Sequence, residues 1–518
     1  MTIDVKTKDS PGWYLKRLSD KLHERQPLLT DLFDRYEGNA PVPSSLNSAP
    51  ESARAFFKAS RTAFAEMVVK AVKYPLKLQA VTTAADDNET GDTAAWRMLV
   101  RSGMLSEADD VVRTMLVAGD GYAFTSMHEG QPTYTAEDPR QVVTIHDPVV
   151  QAKIIAAGKF FYHPEDEASY AYLYRKGRVW RAVYPGRRTT GAIRFGPSWS
   201  WDETYGGVEG TALPDAELMP VFRYRNEEGV GEFKRHRDLL DRMDHMVLQG
   251  MSIATYQAFK QRAIKIDDED LEDEDGDEVD LNDVLSADPG AVWKLPSTAE
   301  LWESGNVDLT PVWTGMEKFI QQLSAVTFTP LAMFSPDGQN QSAAGAAFAR
   351  EGRTFKIEDR QARVGFVHAL ALSALFRLGN DADRTPVEDI EIVWRPAERY
   401  GLSEKADAAT KYKAAGTPWR TIMGEVLQFT PRQIVRMESE RLDDEMLVAS
   451  LAMSGAEQAA DDQVSAEDVA AIKARADALG TLIRAGVDPV QAAQQAGYST
   501  GLRFTGRPVA LQKTDAES

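Results

Sequence analysis

The highest density of chemically active side chains lies in the stretch DDEDLEDEDGDEVD, in which eleven of fourteen residues are carboxylates. An EF-hand calcium loop needs acids at positions 1, 3 and 5, glycine at 6 and glutamate at 12. Aligned on Gly276, the stretch has Leu271 at position 1 and Asn282 at position 12. The EF-hand pattern therefore fails at both ends. A mobile, solvated loop is the simpler interpretation, and a looser divalent-ion site stays open. The eleven acids are Asp267, Asp268, Glu269, Asp270, Glu272, Asp273, Glu274, Asp275, Asp277, Glu278 and Asp280.

The residues that the common catalytic classes require are missing from the sequence. The chain has no cysteine, and its seven histidines include no pair spaced i, i+4, which argues against thiolate and histidine metal sites. No phosphate loop, dinucleotide fingerprint, HExxH or GxSxG motif is present. The sequence therefore indicates no catalytic residue, no cofactor and no metal.

The net charge of −20 argues against tight nonspecific binding to nucleic acid, which depends on Lys and Arg. The longest apolar run, near Ala369–Phe376, is far shorter than the roughly 18 residues that span a bilayer. The polar start MTIDVKTKDS has no apolar segment typical of a secretory signal. We therefore expect no membrane partner and a protein made in the cytoplasm, or used in an assembly built there.

The N-terminal 230 residues combine helical and strand patterns. Helical spacing predicts a helix over Ser52–Tyr74, ended by Pro75, and further helix over 91–120. Between 121 and 225, the segments YAFTSM, QVVTIHD, KFFYH, YAYLYRKGRVWRAVYP and VFRYR are typical of strands. This part of the chain is predicted to be a mixed α/β domain.

The acidic stretch sits between two predicted helices. A helix begins at Glu232, the short strand patterns AIKI, AVWKLP and ELWES flank the acids, and a helix follows over Pro311–Val326. The order predicts an antiparallel pair of helices with a small β-rich module at its tip.

A loop, a long helix and a lone strand come next. Pro, Gly and Asn mark FTPLAMFSPDGQNQSAAG as a loop, and one long helix is predicted over Ser342–Leu378, with Gly352 and Gly365 as kink sites. The strand IEIVWRP is expected to rejoin the earlier strands, because a single strand needs partners.

The C-terminal part is predicted to be helical, with Thr417-Pro418 and Thr430-Pro431 each opening a helix. AAGTPWRTIMGEVLQFTP resembles RAGVDPVQAAQQAGYST, which indicates two similar helical hairpins. The second segment lacks the donors of a DNA-reading helix, so plain helix packing is favoured. Residues from about 506 read as a flexible tail.

This order of elements from Glu232 to Pro396 resembles the portal (head-to-tail connector) proteins of tailed double-stranded DNA bacteriophages. GTPWRTIMGEVLQFTPRQIVRMESER further resembles the actinophage-type members. The resemblance implies an α+β portal fold with a mixed α/β wing, a two-helix stem, a small β-rich clip, a long kinked helix and a helical crown. The implied parts are the wing 1–231, stem helices 232–262 and 311–327, clip 263–310, tunnel loop 328–342, long helix with returning wing strand 343–400, crown 401–505 and tail 506–518.

The resemblance also implies which residues face the channel and which partners the protein has. The expected channel-lining residues of the tunnel loop are Phe334, Ser335, Pro336, Asp337, Gly338, Gln339, Asn340 and Gln341. A ring of about twelve subunits is implied. The implied partners are the large terminase subunit, a head-completion or adaptor protein, the major capsid protein and scaffold, and double-stranded DNA that passes without tight binding.

Two other classes of function compete with the portal interpretation. A metal-dependent nuclease would use paired carboxylates, but the acids cluster in one loop instead of converging from separate elements. A structural head protein without a channel would share the composition and lack the ring.

We predict that replacing the eleven acids by Ser and Asn leaves ring assembly intact and impairs packaging or adaptor binding. So many like charges per chain repel each other too strongly to pack tightly, so an exposed mouth or a docking surface for basic partners suits them best. Packaging efficiency and adaptor affinity are the measurements. Unchanged values of both would remove this role.

Overall fold

The computed structural model describes residues 3–43, 48, 50–86, 91–186, 193–258, 262–265, 300–303, 305–334, 343–398, 401–461 and 466–498. The chain divides into two units, Met1–Arg432 and Gln433–Ser518. The acidic stretch and residues Ser335–Gln341 of the expected tunnel loop lie outside the described residues. No helix among the described residues is both long enough and apolar enough to cross a bilayer.

The N-terminal helices are shorter and more numerous than the sequence pattern predicts. They are α1 (Pro11–Tyr36), α2 (Glu51–Ala59), α3 (Phe64–Lys73), α4 (Thr93–Arg101) and α5 (Met104–Ala118). The single helix predicted over Ser52–Tyr74 is wrong, because the chain breaks between α2 and α3. At this break the Thr62 N–H and hydroxyl both donate to Asp244 Oδ1, at 2.8 and 2.7 Å. A long-range hydrogen bond therefore overrides the helical periodicity.

Strands dominate residues 120–225, as predicted. They are β2 (Asp120–His128), β3 (Gln131–Glu137), β4 (Val142–His146), β5 (Ile154–His163), β6 (Ala168–Arg175), β7 (Arg178–Pro185), β8 (Ser200–Trp201), β9 (Thr211–Ala212) and β10 (Val221–Arg225). One antiparallel sheet has the order β10-β2-β3, and another has the order β4-β5-β6-β7-β8 with β9 beside β7. The sequence analysis missed β3, which follows a turn at Glu129 and Gly130, both at positive φ.

The six-stranded sheet packs one face against α1. Leu15, Leu18 and Leu22 of the helix meet Phe160 and Leu173 of the sheet in one buried cluster. The leucines recur at helical spacing and therefore lie on one face of α1. The apolar sheet residues alternate along their strands and therefore lie on one face of the sheet, and these two faces are buried against each other. This packing holds the N-terminal helix onto the wing.

The lone strand predicted near IEIVWRP exists as β13 (Glu391–Trp394), but its expected partner is wrong. It pairs antiparallel with β1 (Leu78–Thr82), a strand that the sequence analysis missed and that lies outside residues 121–225. The two strands form a separate two-stranded sheet. A strand as short as β1, flanked by Pro75 and polar residues, carries too few alternating positions to be recognised from sequence.

The region after residue 231 follows the predicted order of elements. It consists of α6 (Arg237–Ala258), β11 (Arg262–Lys265), β12 (Glu300–Glu303), α7 (Thr310–Thr327) and α8 (Ala343–Leu378). The long helix α8 runs for 36 residues, or about 54 Å at the standard rise per residue.

The remaining helices are α9 (Leu402–Ala414), α10 (Trp419–Thr421) continuing as a π-helix over Ile422–Val426, α11 (Pro431–Asp461), α12 (Ala466–Arg484) and α13 (Pro489–Gln495). The two C-terminal segments that resemble each other in sequence share one type of helix-ending turn. The N–H of Thr417 donates to the Tyr412 carbonyl at 3.1 Å after α9, and the N–H of Val487 donates to the Leu482 carbonyl at 3.1 Å after α12. Both are Schellman-type caps that use a glycine at positive φ.

A buried hydrogen-bond chain crosses the wing core beneath α8. Tyr134 donates its hydroxyl proton to the Tyr224 oxygen at 2.9 Å, and the Tyr224 hydroxyl lies 2.8 Å from His368 Nδ1. The His368 ring stacks on Trp394 of β13 with a centroid distance of 5.8 Å. Complete burial lowers the pKa of His368 to about 3, because the charged imidazolium loses its hydration.

The free energy of unfolding of the natural protein is expected to fall between pH 7 and pH 5. We predict that this fall is about 2 kcal/mol smaller in His368→Gln. The unfolded chain protonates this histidine near pH 6.5, whereas the folded chain does so only near pH 3. Folding is therefore favoured above pH 6.5 and loses free energy as the pH falls. Urea unfolding at the two pH values measures the difference. His128→Gln, at an exposed position, is the matched control, and an equal reduction in that variant would contradict the assignment.

Candidate functional site

The stem is an antiparallel pair formed by α6 and α7. Gly250 of α6 lies against the Trp313 ring of α7, where a Cβ would come within 3.2 Å of that ring. A second contact between the helices places Arg242 of α6 over the Phe319 ring of α7, with 5.5 Å from Cζ to the ring centroid. Towards the wing, Met243 and Leu323 are buried. The glycine lets the two helix axes approach, so both helices run together to the clip.

The clip begins as a two-stranded antiparallel sheet at the far end of the stem. β11 pairs with β12 in the register Arg262↔Glu303 to Lys265↔Glu300. The strands predicted at AIKI and ELWES are confirmed by this pairing, whereas a third strand predicted at AVWKLP lies outside the described residues. All four residues of β12 are exposed. The connection between the two strands carries Asp267–Asp280, which lies outside the described residues.

Two charge clusters anchor the start of the stem to the wing. The first joins α1 to α6: Asp31 accepts from Arg35 at 2.8 Å and from Arg237 at 2.9 Å, and Arg35 also pairs with Asp241. Because Arg35 and Asp31 are shielded by the fold, these contacts are screened less than surface pairs.

The second cluster joins Glu232, in the segment that leads into α6, to the long helix α8. The carboxylate of Glu232, with only 2% of its side chain exposed, contacts Lys356 Nζ at 2.6 Å and Arg360 Nε at 3.1 Å. Asn226 Nδ2 donates a further hydrogen bond to it at 3.1 Å. Arg360 also reaches Asp359 at 2.6 Å. We call Asn226, Glu232, Lys356, Asp359 and Arg360 the stem-root cluster.

Electrostatics keep the carboxylate of the stem-root cluster ionised. Burial alone would raise the pKa of Glu232, but the adjacent Lys356 and Arg360 outweigh it and hold that pKa below its ordinary value. Burial would also raise the pKa of Asp359, but hydrogen bonds from Arg363, one turn further along α8, and from Arg360 outweigh it and lower that pKa. The charged groups of the cluster are paired with one another, so they tie α8 to the segment that leads into the stem.

The root of the tunnel loop is held rigidly where α7 ends. Phe328 takes a left-handed conformation at φ 53°. The Thr329 N–H donates to the Ser324 carbonyl at 3.1 Å, and the Ser324 hydroxyl donates to the Thr329 carbonyl at 2.7 Å. Lys356 Nζ of the stem-root cluster donates to the Thr327 carbonyl at 3.0 Å. The loop therefore leaves the stem in one defined direction.

Gly352 of α8 leaves the space in which the Phe328 ring lies. A Cβ on Gly352 would lie 2.5 Å from Phe328 Cδ1, so the ring occupies the space that any side chain would need. This close approach is a role that the sequence analysis did not foresee when it assigned Gly352 as a kink site.

Among the expected channel-lining residues, the structure describes Phe334 and none of the other seven. The Phe334 ring packs edge-on against Phe64 of α3 with a centroid distance of 5.6 Å, and it borders the main core. Channel lining by Phe334 and by Ser335–Gln341 stays a prediction. In the described part of the chain, no group of three or more His, Asp or Glu side chains is placed to hold a metal ion.

Residues 15–445 match the family model described as "Phage portal protein, SPP1 Gp6-like". No curated protein matches the chain. Similar solved structures include the "Neck of empty GTA particle computed with C6 symmetry" (12% identity, TM-score 0.42, 73% of this chain and 94% of that chain). Others are the "Virion of native gene transfer agent (GTA) particle" (12%, 0.42, 77% and 98%) and the "Neck of native GTA particle computed with C12 symmetry" (14%, 0.40, 75% and 95%).

The described fold is that of a connector-type structural protein. It combines a wing of mixed helix and sheet, a two-helix stem that ends in the paired strands β11 and β12, and the long helix α8. The chain belongs to the SPP1 Gp6-like phage portal protein family, as the match over residues 15–445 shows. It is therefore a phage portal protein, a structural protein of the phage and not an enzyme. The prediction of the portal family and of its α+β fold is confirmed. The actinophage type stays a prediction.

We predict that Glu232→Gln destabilises the protein by about 3–5 kcal/mol, because it leaves two cations without their shared buried carboxylate. Thermal or urea unfolding measures the change. Glu228→Gln is the matched control: Glu228 pairs with Arg235 on the surface, both largely exposed, so the expected loss is at most about 1 kcal/mol. Equal losses of unfolding free energy in the two variants would show that burial of the stem-root cluster contributes nothing to the stability of the protein.

Proposed function

We propose that about twelve copies of this chain form the ring, and that its bore conducts DNA during packaging and ejection. The observation that carries the proposal is the family match, which spans the stem, the clip strands and the long helix together. The stem supports it physically, since two antiparallel helices ending in a hairpin give each subunit an elongated element that can line a passage.

The acidity of the chain suits a conduit that must touch DNA without holding it. Lys and Arg facing the bore would bind phosphates and add counterion-release affinity at each contact. A net charge of −20 per chain favours repulsion instead. Because this field is screened beyond about 8 Å at physiological salt, it acts mainly inside a narrow bore.

We further propose that the tunnel loop, from Phe334 to Gln341, faces this bore. Its support is the geometry of its root: Phe328 is seated on Gly352, and Lys356 holds the end of α7. A loop with such a rigid base can present polar side chains to a moving duplex without disturbing the core.

The partners follow from the position of the clip at the free end of the stem. We propose that the acidic connection between β11 and β12 docks basic surfaces of the large terminase subunit during packaging and of the adaptor protein afterwards. The wing would meet the major capsid protein and scaffold. Assembly would take place in the host cytoplasm before the ring is built into the virion.

Electron microscopy of the purified protein is the test. We expect a closed ring with a central hole, α6 and α7 beside the bore and the β11–β12 hairpin at one end. A second readout is the sign of the charge on the inner wall. Subunits that stay monomeric under all assembly conditions, or a ring with a lysine-rich inner wall, would overturn the proposal.

A further inference from the structure

Three cations from separate parts of the wing gather around one carboxylate. Lys21 and Arg25 stand one turn apart on the same face of α1, and Arg223 lies on β10. Asp120 of β2 accepts from Arg25 Nη2 at 2.8 Å through Oδ2, and from Arg223 Nε and Nη2 at 2.8 and 2.7 Å through Oδ1. With His146 of β4, which contacts Arg223, these residues form what we call the wing cation cluster.

Lys21 is left without a counter-charge in this cluster. Its ammonium group donates to the Thr144 carbonyl at 3.0 Å and forms no ion pair with any residue that the structure describes. Both oxygens of Asp120 are taken by the two guanidinium groups. Loss of hydration, followed by the positive charges of Arg223 and Arg25, lowers the pKa of Lys21. The ammonium group therefore lies in a positive environment that one carboxylate does not neutralise.

The histidine of the cluster adds no positive charge at neutral pH. The register of β4 against β5 shifts between Ile145 and His146, an irregularity of the kind that re-aims a side chain. Its Nε2 lies 2.8 Å from the Thr144 hydroxyl and 3.2 Å from Arg223 Nη1. Because arginine can only donate, Nε2 must accept and the ring is neutral. Burial and then the charge of Arg223 lower the pKa of His146 to about 4, in agreement with this geometry.

The cluster consequently has a surplus of two positive charges. Three cations surround the single carboxylate of Asp120, in a chain that has 79 acids against 59 Lys and Arg. Only 24% of the Arg25 side chain and 20% of the Arg223 side chain are exposed, and charges shielded in this way are costly to leave unbalanced. Lys21 is exposed, so an anion can reach the cluster from solvent.

We propose that the wing cation cluster binds one phosphate group, which accepts hydrogen bonds from the ammonium of Lys21 and from the remaining N–H groups of Arg25 and Arg223. Such a group carries about 1.5 to 2 negative charges at pH 7, which matches the surplus of the cluster. Its oxygens accept from several directions at once, as donors that converge from α1 and β10 require. A carboxylate carries one charge and would leave the other unbalanced. The inference does not depend on the proposed ring.

A single phosphate group fits the cluster better than a nucleic-acid strand does. An extended polyanion that reached the cluster would also meet the field of a chain with a net charge of −20. A single phosphate is smaller than the screening length of about 8 Å at physiological salt, so the neighbouring cations dominate the field that it experiences.

The first experiment titrates inorganic phosphate into the full chain at pH 7 by calorimetry, in chloride of matched ionic strength. Lys21→Met removes the charge and keeps an unbranched side chain. Lys16→Met is the matched control, because Lys16 lies on the same helix and pairs with Asp20. We expect the natural chain and Lys16→Met to bind one phosphate per chain with equal affinity, and Lys21→Met to bind at least tenfold more weakly while unfolding at the natural temperature.

Two outcomes of this titration would overturn the inference. One is a natural chain without saturable phosphate binding, and the other is a folded Lys21→Met chain that binds as tightly as the natural one.

The second experiment identifies the chemistry of the anion by competition against bound phosphate at constant ionic strength. Sulfate, a tetrahedral dianion, should displace phosphate, and acetate at the same concentration should not. Thymidine monophosphate that competes more strongly than free phosphate assigns the site to a phosphate monoester, and weaker competition assigns it to the free ion. Displacement by acetate, or by oligothymidylate that lacks a terminal phosphate, would overturn the assignment to a single phosphate group.

Discussion

A buried carboxylate held between two cations is the interaction on which the placement of the long helix beside the stem depends. Glu232 stands immediately before the stem, and Lys356 and Arg360 stand one turn apart on the long helix. A carboxylate this deeply buried is tolerated only when paired, so α8 must lie where its cations reach Glu232. That placement also brings Gly352 against Phe328 and Lys356 to the end of α7. The direction in which the tunnel loop leaves the stem follows from it.

Two buried titratable groups in the described part of the chain serve structure. Glu232 is held ionised by its partners, and His368 of α8 is held neutral by its burial in the core, with its Nδ1 engaged by Tyr224. An enzyme exposes such groups to a substrate, whereas here each is consumed by a neighbour within the fold. This use of charge agrees with membership in a family of structural phage proteins.

Much of the fold could be predicted because its elements are long and strongly periodic. The stem helices, the strands flanking the acids and the 36-residue α8 all occur in the predicted order. One predicted helix was wrong, and the strand β1 was missed. The helix over Ser52–Tyr74 breaks because Asp244, far away in sequence, captures Thr62. The strand β1 escaped notice because five residues carry too little alternation, and its partner β13 is more than 300 residues away.

The sequence by itself determined the acidity of the chain, the order of its elements and the absence of cysteine chemistry, because composition and periodicity are local properties. The class of protein was indicated by the resemblance of that order of elements to a known family. Only the tertiary structure decided that Glu232 pairs with cations of α8, that the Phe328 ring lies against Gly352, and that β13 pairs with β1. Each of these depends on contacts between residues distant in the chain. Such pairings are selected by the packing free energy of the whole domain, and no local pattern records them.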